Sequence, residues 1–314
     1  MYAIVRSGGH QHKVAVGDTL TVDRLSTAPG ESITLPAVLL SGSLLSSEQR
    51  AFSSRTLGVR VDVLVTDGHK PVGGLGALDF DVRDNGVLQS IEVIDAADIP
   101  LNVVLALDTS GSTTGTRQAD LIAASRALLD GLEPDDRAAL TTFSHAVVPR
   151  TALTADLAGI REALLRIAPS GRTAVMDGVY VALTTTLAQP GRSLVVVCTD
   201  GSDISSWLRL DDVVESARRS NAVIYAVTSA DARRVSSLEE LTGATGGDML
   251  RVASSADLRG AFQKILQDFR SRYILAYTPT GVPPGGFHRL DVRVKRRGLT
   301  VKARPGYIGV EPTK

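Results

Sequence analysis

Five oxygen-bearing side chains stand where apolar strands of this 314-residue chain run into loops or where a loop meets a helix. Asp108-Thr109-Ser110-Gly111-Ser112 sets a carboxylate and two hydroxyls two residues apart, directly after the apolar segment Asn102–Leu107. Thr173 closes the loop Ser170-Gly171-Arg172-Thr173, and Asp200 opens Asp200-Gly201 after the apolar segment Ser193–Thr199. All five offer hard oxygen donors, the kind Mg²⁺ and Mn²⁺ prefer. Two carboxylates, two serines and a threonine suffice for an octahedral ion with one position open to water or an incoming group. The competing reading is that Ser110 and Ser112 merely cap the helix predicted just after them.

The elements needed to hold these residues together alternate strand and helix. Predicted strands are Asn102–Leu107, Ala138–Phe143, Ser193–Thr199, Ala222–Val227 and Met249–Val252; predicted helices are Arg117–Leu132, Leu157–Ile167, Ala174–Leu187, Leu210–Ser220 and Leu258–Arg272. Val103–Leu105 and Leu194–Val197 are continuously apolar, as expected of parallel strands covered on both faces. The expected fold is therefore α/β, a doubly wound, mostly parallel sheet over residues 99–271. In such sheets ligands bind beyond the carboxyl ends of the strands, where the five residues lie.

Residues 55–96 and 272–310 alternate with a period of two instead. Val59, Val61, Val63 and Val65 share one face; Leu78, Phe80 and Val82 share another, ahead of the hairpin signal Asp84-Asn85-Gly86, with Val87–Ile94 returning. Tyr273, Leu275 and Tyr277, then Leu290, Val292 and Val294, then Leu299, Val301 and Ala303 repeat the pattern near the end. Either group alone has too few strands for a stable sheet, so a small β-sandwich built from both flanks is expected, with the α/β unit inserted in it. Residues 1–45 read as short strands (Tyr2–Val5, Val14–Val16, Leu20–Val22). The apolar stretch Leu35–Leu45 reads equally as a strand with its loop or as a displaced secretory-signal remnant.

Composition narrows the function. The 34 basic residues balance 34 acidic ones, and aromatics make up 4 %, which argues against a dedicated nucleic-acid binder. A single cysteine, Cys198, excludes an internal disulfide and a cysteine-based zinc site. No apolar run is long enough to span a bilayer. His145 with a serine and Asp200 offers a hydrolase triad on paper, but without a nucleophile elbow. No enzymatic activity is expected. Asp203 could support the site from behind and Trp207 could rim a ligand, although a solvated acid and a packed tryptophan are the plainer readings.

The pattern DxSxS, then Thr, then Asp on separate loops resembles the metal-ion-dependent adhesion site of the von Willebrand factor type A family. That resemblance implies that Asp108, Ser110, Ser112, Thr173 and Asp200 bind Mg²⁺ (or Mn²⁺ or Ca²⁺), and that an acidic residue of a partner protein completes the metal shell. The segments FSSRTLGVRVDVLVTDG, LDFDVRDNG, PLNVVLALDTSGS, YILAYTPTG and KARPGYIG resemble a bacterial group of exported type A-related proteins, which implies a periplasmic or extracellular site. The opening MYAIVRSGGHQHKVAVGDTLTVDRL resembles the start of a bacterial large-ribosomal-subunit protein family. That match is expected to fade near Leu40, leaving a chimeric head that is not an independent domain. The function implied is metal-dependent protein binding or adhesion; the alternative is a constitutive scaffold or assembly subunit.

Overall fold

The computed structural model describes residues 58–96, 99–187, 189–232 and 236–309, together with the backbone of three strands nearer the start. The chain divides into two compact units, Met1–Ser54 and Arg55–Lys314. In the first, β1 (Tyr2–Ser7), β2 (His10–Ala15) and β3 (Ala37–Ser41) form an antiparallel sheet in the order β2-β1-β3. Within the apolar stretch Leu35–Leu45, Ala37–Ser41 forms a strand whose Ser41 lies opposite Tyr2. The predicted strand Leu20–Val22 lies outside the described residues.

The second unit opens with β4 (Val59–Asp67), β5 (Lys70–Pro71), β6 (Phe80–Asp84), β7 (Val87–Leu88) and β8 (Glu92–Ile94). The α/β region follows: β9 (Leu101–Asp108), α1 (Thr116–Asp130), β10 (Arg137–Phe143), β11 (Val147–Thr154), α2 (Leu157–Leu165), α3 (Val175–Thr186), β12 (Arg192–Cys198), α4 (Leu210–Arg219), β13 (Val223–Ser229), α5 (Ser236–Thr245), β14 (Met249–Val252) and α6 (Leu258–Arg270). β15 (Tyr273–Tyr277), β16 (Gly286–Val294), β17 (Thr300–Lys302) and β18 (Gly306–Gly309) close it.

The central sheet has six strands in the order β11-β10-β9-β12-β13-β14, parallel except for β11. Every residue of β9 and β12 is buried, which is why these strands read as unbroken apolar runs. One face packs Leu101, Val103, Leu105 and Leu107 against Leu121 and Leu128 of α1 and Phe262, Ile265 and Phe269 of α6. β11 and α5 were not foreseen. β11 is an edge strand with few buried residues and Pro149 within it, and α5 carries Gly243 and threonines, so neither shows a clear period.

The flanking strands form two further sheets. β17-β4-β15-β8, with β5 on β4, makes one, and β18-β16-β6-β7 the other. Val61, Val63 and Val65 of β4 and Leu275 and Tyr277 of β15 share one apolar cluster with Phe80 and Val82 of β6 and Leu290 of β16. The Asp84-Asn85-Gly86 hairpin forms as expected, with Asn85 and Gly86 both at positive φ. Leu78 does not join the core: a 3₁₀ turn over Ala77–Asp79 breaks the alternation and leaves it 89 % exposed. Val87–Ile94 is not one returning strand either, since β7 stays with β6 while β8 crosses to pair with β15.

That crossing explains how a large unit sits inside a small one. Ile94, at the end of β8, lies opposite Ile274 in β15, so the incoming and outgoing ends of the α/β region leave one sheet side by side. Buried arginines secure the junction. Arg192 of β12 donates to Asp62 of β4 at 2.7 and 3.0 Å and to the Phe269 carbonyl at 2.9 Å. Arg272, 2 % exposed, reaches the Tyr225 hydroxyl at 2.9 Å, the Gly246 carbonyl at 2.6 Å and the Asp62 carbonyl at 3.3 Å. Arg304, after β17, donates to the Arg218 and Ser220 carbonyls at the C-terminus of α4, and burial lowers its pKa to about 10. Arg192 sits at the start of β12 and Asp200 just past its end, so the junction and the candidate site occupy opposite ends of the sheet. No described helix is long and apolar enough to cross a membrane.

Candidate metal centre

The loops after β9 and β12 and the loop before α3 meet at the carboxyl end of the sheet. Asp108 is 1 % exposed; its Oδ1 accepts from the Ser110 N–H at 2.8 Å and its Oδ2 from the Thr199 hydroxyl at 2.5 Å. The Ser110 and Ser112 hydroxyls lie 3.1 Å apart, and Ser112 donates to Asp200 Oδ1 at 2.9 Å. Backbone bonds lace the loops: Ser170 N–H to the Thr109 carbonyl (2.8 Å) and Gly111 N–H to the Gly171 carbonyl (3.1 Å). Thr173 lies against the Asp200-Gly201 turn, for a Cβ on Gly201 would come within 3.3 Å of its hydroxyl. Gly171, at φ 75°, is required twice over, because any side chain there would also collide with the His145 ring.

The helix-capping alternative for the serines is not what forms. α1 starts at Thr116, its N-cap is Gly115, and no side chain caps it. Ser110 and Ser112 turn toward Asp108 and Asp200 instead. Burial pushes the Asp108 carboxyl above its ordinary value, against the hydrogen bonds from Thr199 and Ser110, and the nearby Asp200 charge adds to the rise. A cation at this point offsets both effects. One is already present: the Arg117 guanidinium, in the first turn of α1, pairs with Asp200 Oδ2. A positive charge at a helix N-terminus opposes the helix dipole, so its pairing with Asp200 is the compensating interaction. Among the described residues no group of three or more His, Cys, Asp or Glu could hold a metal, so any ion here depends on the hydroxyls. Two carboxylates, three hydroxyls and a guanidinium standing in for a cation suit a hard divalent ion.

Asp203 is not aimed at this centre. Its two oxygens accept from Met176 N–H (3.0 Å) and Ser206 N–H (3.1 Å), tying the loop after β12 to the start of α3. Asp177, overlooked in the sequence, completes the tie by accepting from Trp207 N–H at 3.1 Å and Leu208 N–H at 3.0 Å; burial raises its pKa against those bonds. Trp207 is 61 % exposed beside the site, which excludes the packed alternative. His145 lies 3.4 Å from the Ser144 hydroxyl, while Ser110 and Ser112 are engaged with each other and Asp200. Cys198 is buried, and burial drives its thiol pKa upward, as for an inert core residue. Thr199 and Arg117 were also missed. The signal for Thr199 was its place immediately before Asp200; nothing local marks Arg117, whose partner is 83 residues away.

A model of the von Willebrand factor type A domain matches residues 102–266, more than half of the chain. The chain belongs to this family. Its type A domain thus runs from β9 into α6, and domains of this kind are generally protein-binding modules. A second family model, the ribosomal prokaryotic L21 protein, matches residues 1–71. The large ribosomal subunit protein bL21 of Streptomyces griseus is 44 % identical over 72 residues, which are 22 % of this chain and 64 % of that protein. The chain therefore spans less than two thirds of this relative, yet the likeness runs past Leu40, where it was expected to fade, and into β4 and β5. Among solved structures, a von Willebrand factor type A protein from Catenulispora acidiphila is 15 % identical with a TM-score of 0.50, covering 82 % of this chain and 75 % of its own. Proximal thread matrix protein 1 of the mussel byssus, with a zinc-occupied MIDAS motif, is 17 % identical with a TM-score of 0.51, covering 59 % and 49 %. At these identities the likeness is one of fold.

Proposed function

We propose that the chain is a divalent-metal-dependent protein-binding module. Asp108, Ser110, Ser112, Thr173 and Asp200 would hold Mg²⁺, or Mn²⁺ or Ca²⁺ in its place, and an acidic side chain of a partner protein would complete the shell. The observation that carries this reading is the turning of Ser110 and Ser112 toward the two carboxylates instead of the α1 N-terminus. When bound, the ion supplies an electrophilic centre for the incoming carboxylate. The chain's own residues do the rest: Thr199 and the Ser110 N–H orient Asp108, Ser112 orients Asp200, and the interlaced loops fix the hydroxyls. The byssus protein's zinc-occupied motif on a similar fold supports the choice of a divalent ion. Catalysis has no place in this reading, since the serines are engaged with each other and with Asp200, and His145 faces Ser144.

The test is a Mg²⁺ titration with and without EDTA, read by melting temperature and by capture of partners from the native host. Asp108→Ala should abolish both the Mg²⁺-dependent stabilisation and the capture. The alternative, a constitutive scaffold or assembly subunit, draws on the Arg117–Asp200 pair, which offsets the Asp200 charge without metal. It predicts capture that survives both EDTA and Asp108→Ala. Under the metal reading Arg117 competes with the ion, so Arg117→Gln should tighten Mg²⁺ binding by about 1.5- to 5-fold in calorimetry, the scale of one part-exposed ion pair. An unchanged or weaker affinity would show that the guanidinium does not oppose the metal.

We assign the remaining segments in the same terms. Residues 55–96 with 272–310 form a β-sandwich-like domain, 99–271 the type A domain, and the ribosomal-like head a chimeric addition without a domain role of its own. Nucleic acid is not a partner in this reading, because a zero net charge offers little to a phosphate backbone. Limited proteolysis that trims the head and leaves the Mg²⁺ response intact supports these boundaries; loss of the response with the head opposes them.

A further inference from the structure

Beside the candidate metal centre, five consecutive backbone N–H groups are fixed from within. Those of Ile204 and Ser205 donate to the Thr173 carbonyl at 3.0 and 3.1 Å, that of Ser206 to Asp203, and those of Trp207 and Leu208 to Asp177. Leu208 is buried and anchors the far end of the loop. The loop is therefore rigid and held directly on the backbone of a proposed metal ligand. On it stand Ile204, 54 % exposed, and Trp207, 61 % exposed. Single exposed apolar residues are ordinary, but two on one internally braced loop next to a binding centre form a surface that needs no ordering when it binds.

Two exposed arginines flank this step, with Asp203 before it and the exposed Asp211 after it. Arg172, next to Thr173, is exposed and has no ion pair among the described residues. Arg209, directly after Leu208, is 81 % exposed with only a 3.8 Å contact to Asp211. An apolar step flanked by arginines complements an acidic residue with an apolar neighbour. Trp and Arg are also the residue types that dominate interface energies when a partner covers them.

We propose that Ile204 and Trp207 are the specificity rim of the metal site, and that the partner is a protein loop bearing an aromatic or branched aliphatic residue next to the carboxylate that reaches the ion. This rests on the metal-dependent reading and adds to it the partner's class of sequence. The carboxylate alone selects for charge; the rim selects for its neighbour. A Glu or Asp flanked by Ser or Gly would leave the Trp207 face in water and bind weakly.

The experiment is selection of a disulfide-constrained random peptide library on the whole chain in Mg²⁺, with elution by EDTA. A parallel selection uses Ile204→Ser combined with Trp207→Ala, whose exposure predicts an unchanged melting temperature. Peptides eluted from the unaltered chain should pair an acidic residue with an apolar neighbour and bind the variant at least about tenfold more weakly. They should also shift the emission of Trp207, the chain's single tryptophan. An acidic pool with equal apolar content and equal affinity for both proteins would overturn the rim. So would an empty EDTA pool while calorimetry shows Mg²⁺ bound. Calorimetry that detects no ion would instead remove the metal reading beneath it, a separate readout.

Discussion

Replacing Asp84 by alanine is expected to lower the melting temperature of the chain by about 8–15 °C, corresponding to a loss of about 3–5 kcal/mol. Asp84 is fully buried, and its carboxylate accepts from Tyr277 at 2.9 Å, Tyr307 at 2.8 Å and His288 Nδ1 at 2.8 Å. Since a carboxylate only accepts, the His288 proton sits on Nδ1, and Nε2 is left buried without a partner. Removing the carboxylate strands three donors from three strands, β15, β18 and β16, in a buried cluster. Each such group costs about 1–3 kcal/mol, and the two phenols can partly satisfy one another. Asp84→Asn keeps the shape and one acceptor, so it should cost roughly half as much. The check is a thermal melt of both variants. Mg²⁺ binding should be the same in both, and a shift under about 2 °C for Asp84→Ala would show that this cluster does not hold the two sheets together.

The second large effect concerns the arginines at the junction. Arg192→Ala should cost about 3–5 kcal/mol, because it removes a cation from a nearly dry site and leaves the Asp62 carboxylate behind, only 15 % exposed. Arg192→Lys should not restore it. The guanidinium donates through two nitrogens to Asp62, through one of them to the Phe269 carbonyl as well, and lies 4.6 Å over the Phe269 ring, which an ammonium cannot reproduce. With Arg272→Ala added, the ties from Asp62 to β12 and to the start of β15 are lost together. Calorimetry of the double variant should then resolve two transitions, one for the type A domain and one for the flanking sheets. A single transition at a merely lower temperature would mean that apolar packing alone keeps the two cooperative.

The architecture was legible because its signals are local or periodic. The strands β9 and β12 announce their double-sided burial as apolar runs, and α6 shows Leu258, Phe262, Ile265 and Phe269 at helical spacing. The candidate site could be read because four of its residues lie at or just after strand ends and Thr173 precedes a helix, where side-chain type and position together limit the chemistry. What escaped notice depends on distance in space. Asp84 looked like a turn residue because its partners lie 193, 204 and 223 residues away. Arg192 and Arg272 looked like ordinary polar residues at the margins of their elements, and only the fold turns them inward. Leu78 failed in the other direction: a good strand pattern was interrupted by a turn that its alternation does not reveal.

The side-by-side departure of β8 and β15 has a mechanical meaning. A pull exerted on the strand-end face reaches the flanking sheets at the opposite end of the type A domain, through these two neighbouring strands and the arginine ties beside them. A pull directed along these strands drags both in one direction and makes β15 slide against β4 over the whole register from Tyr273 to Tyr277. Sliding breaks those hydrogen bonds together, whereas peeling would break them singly. The flanking sheets are thus a root set in shear, and the type A domain is a head that can be tugged without being unzipped from its base.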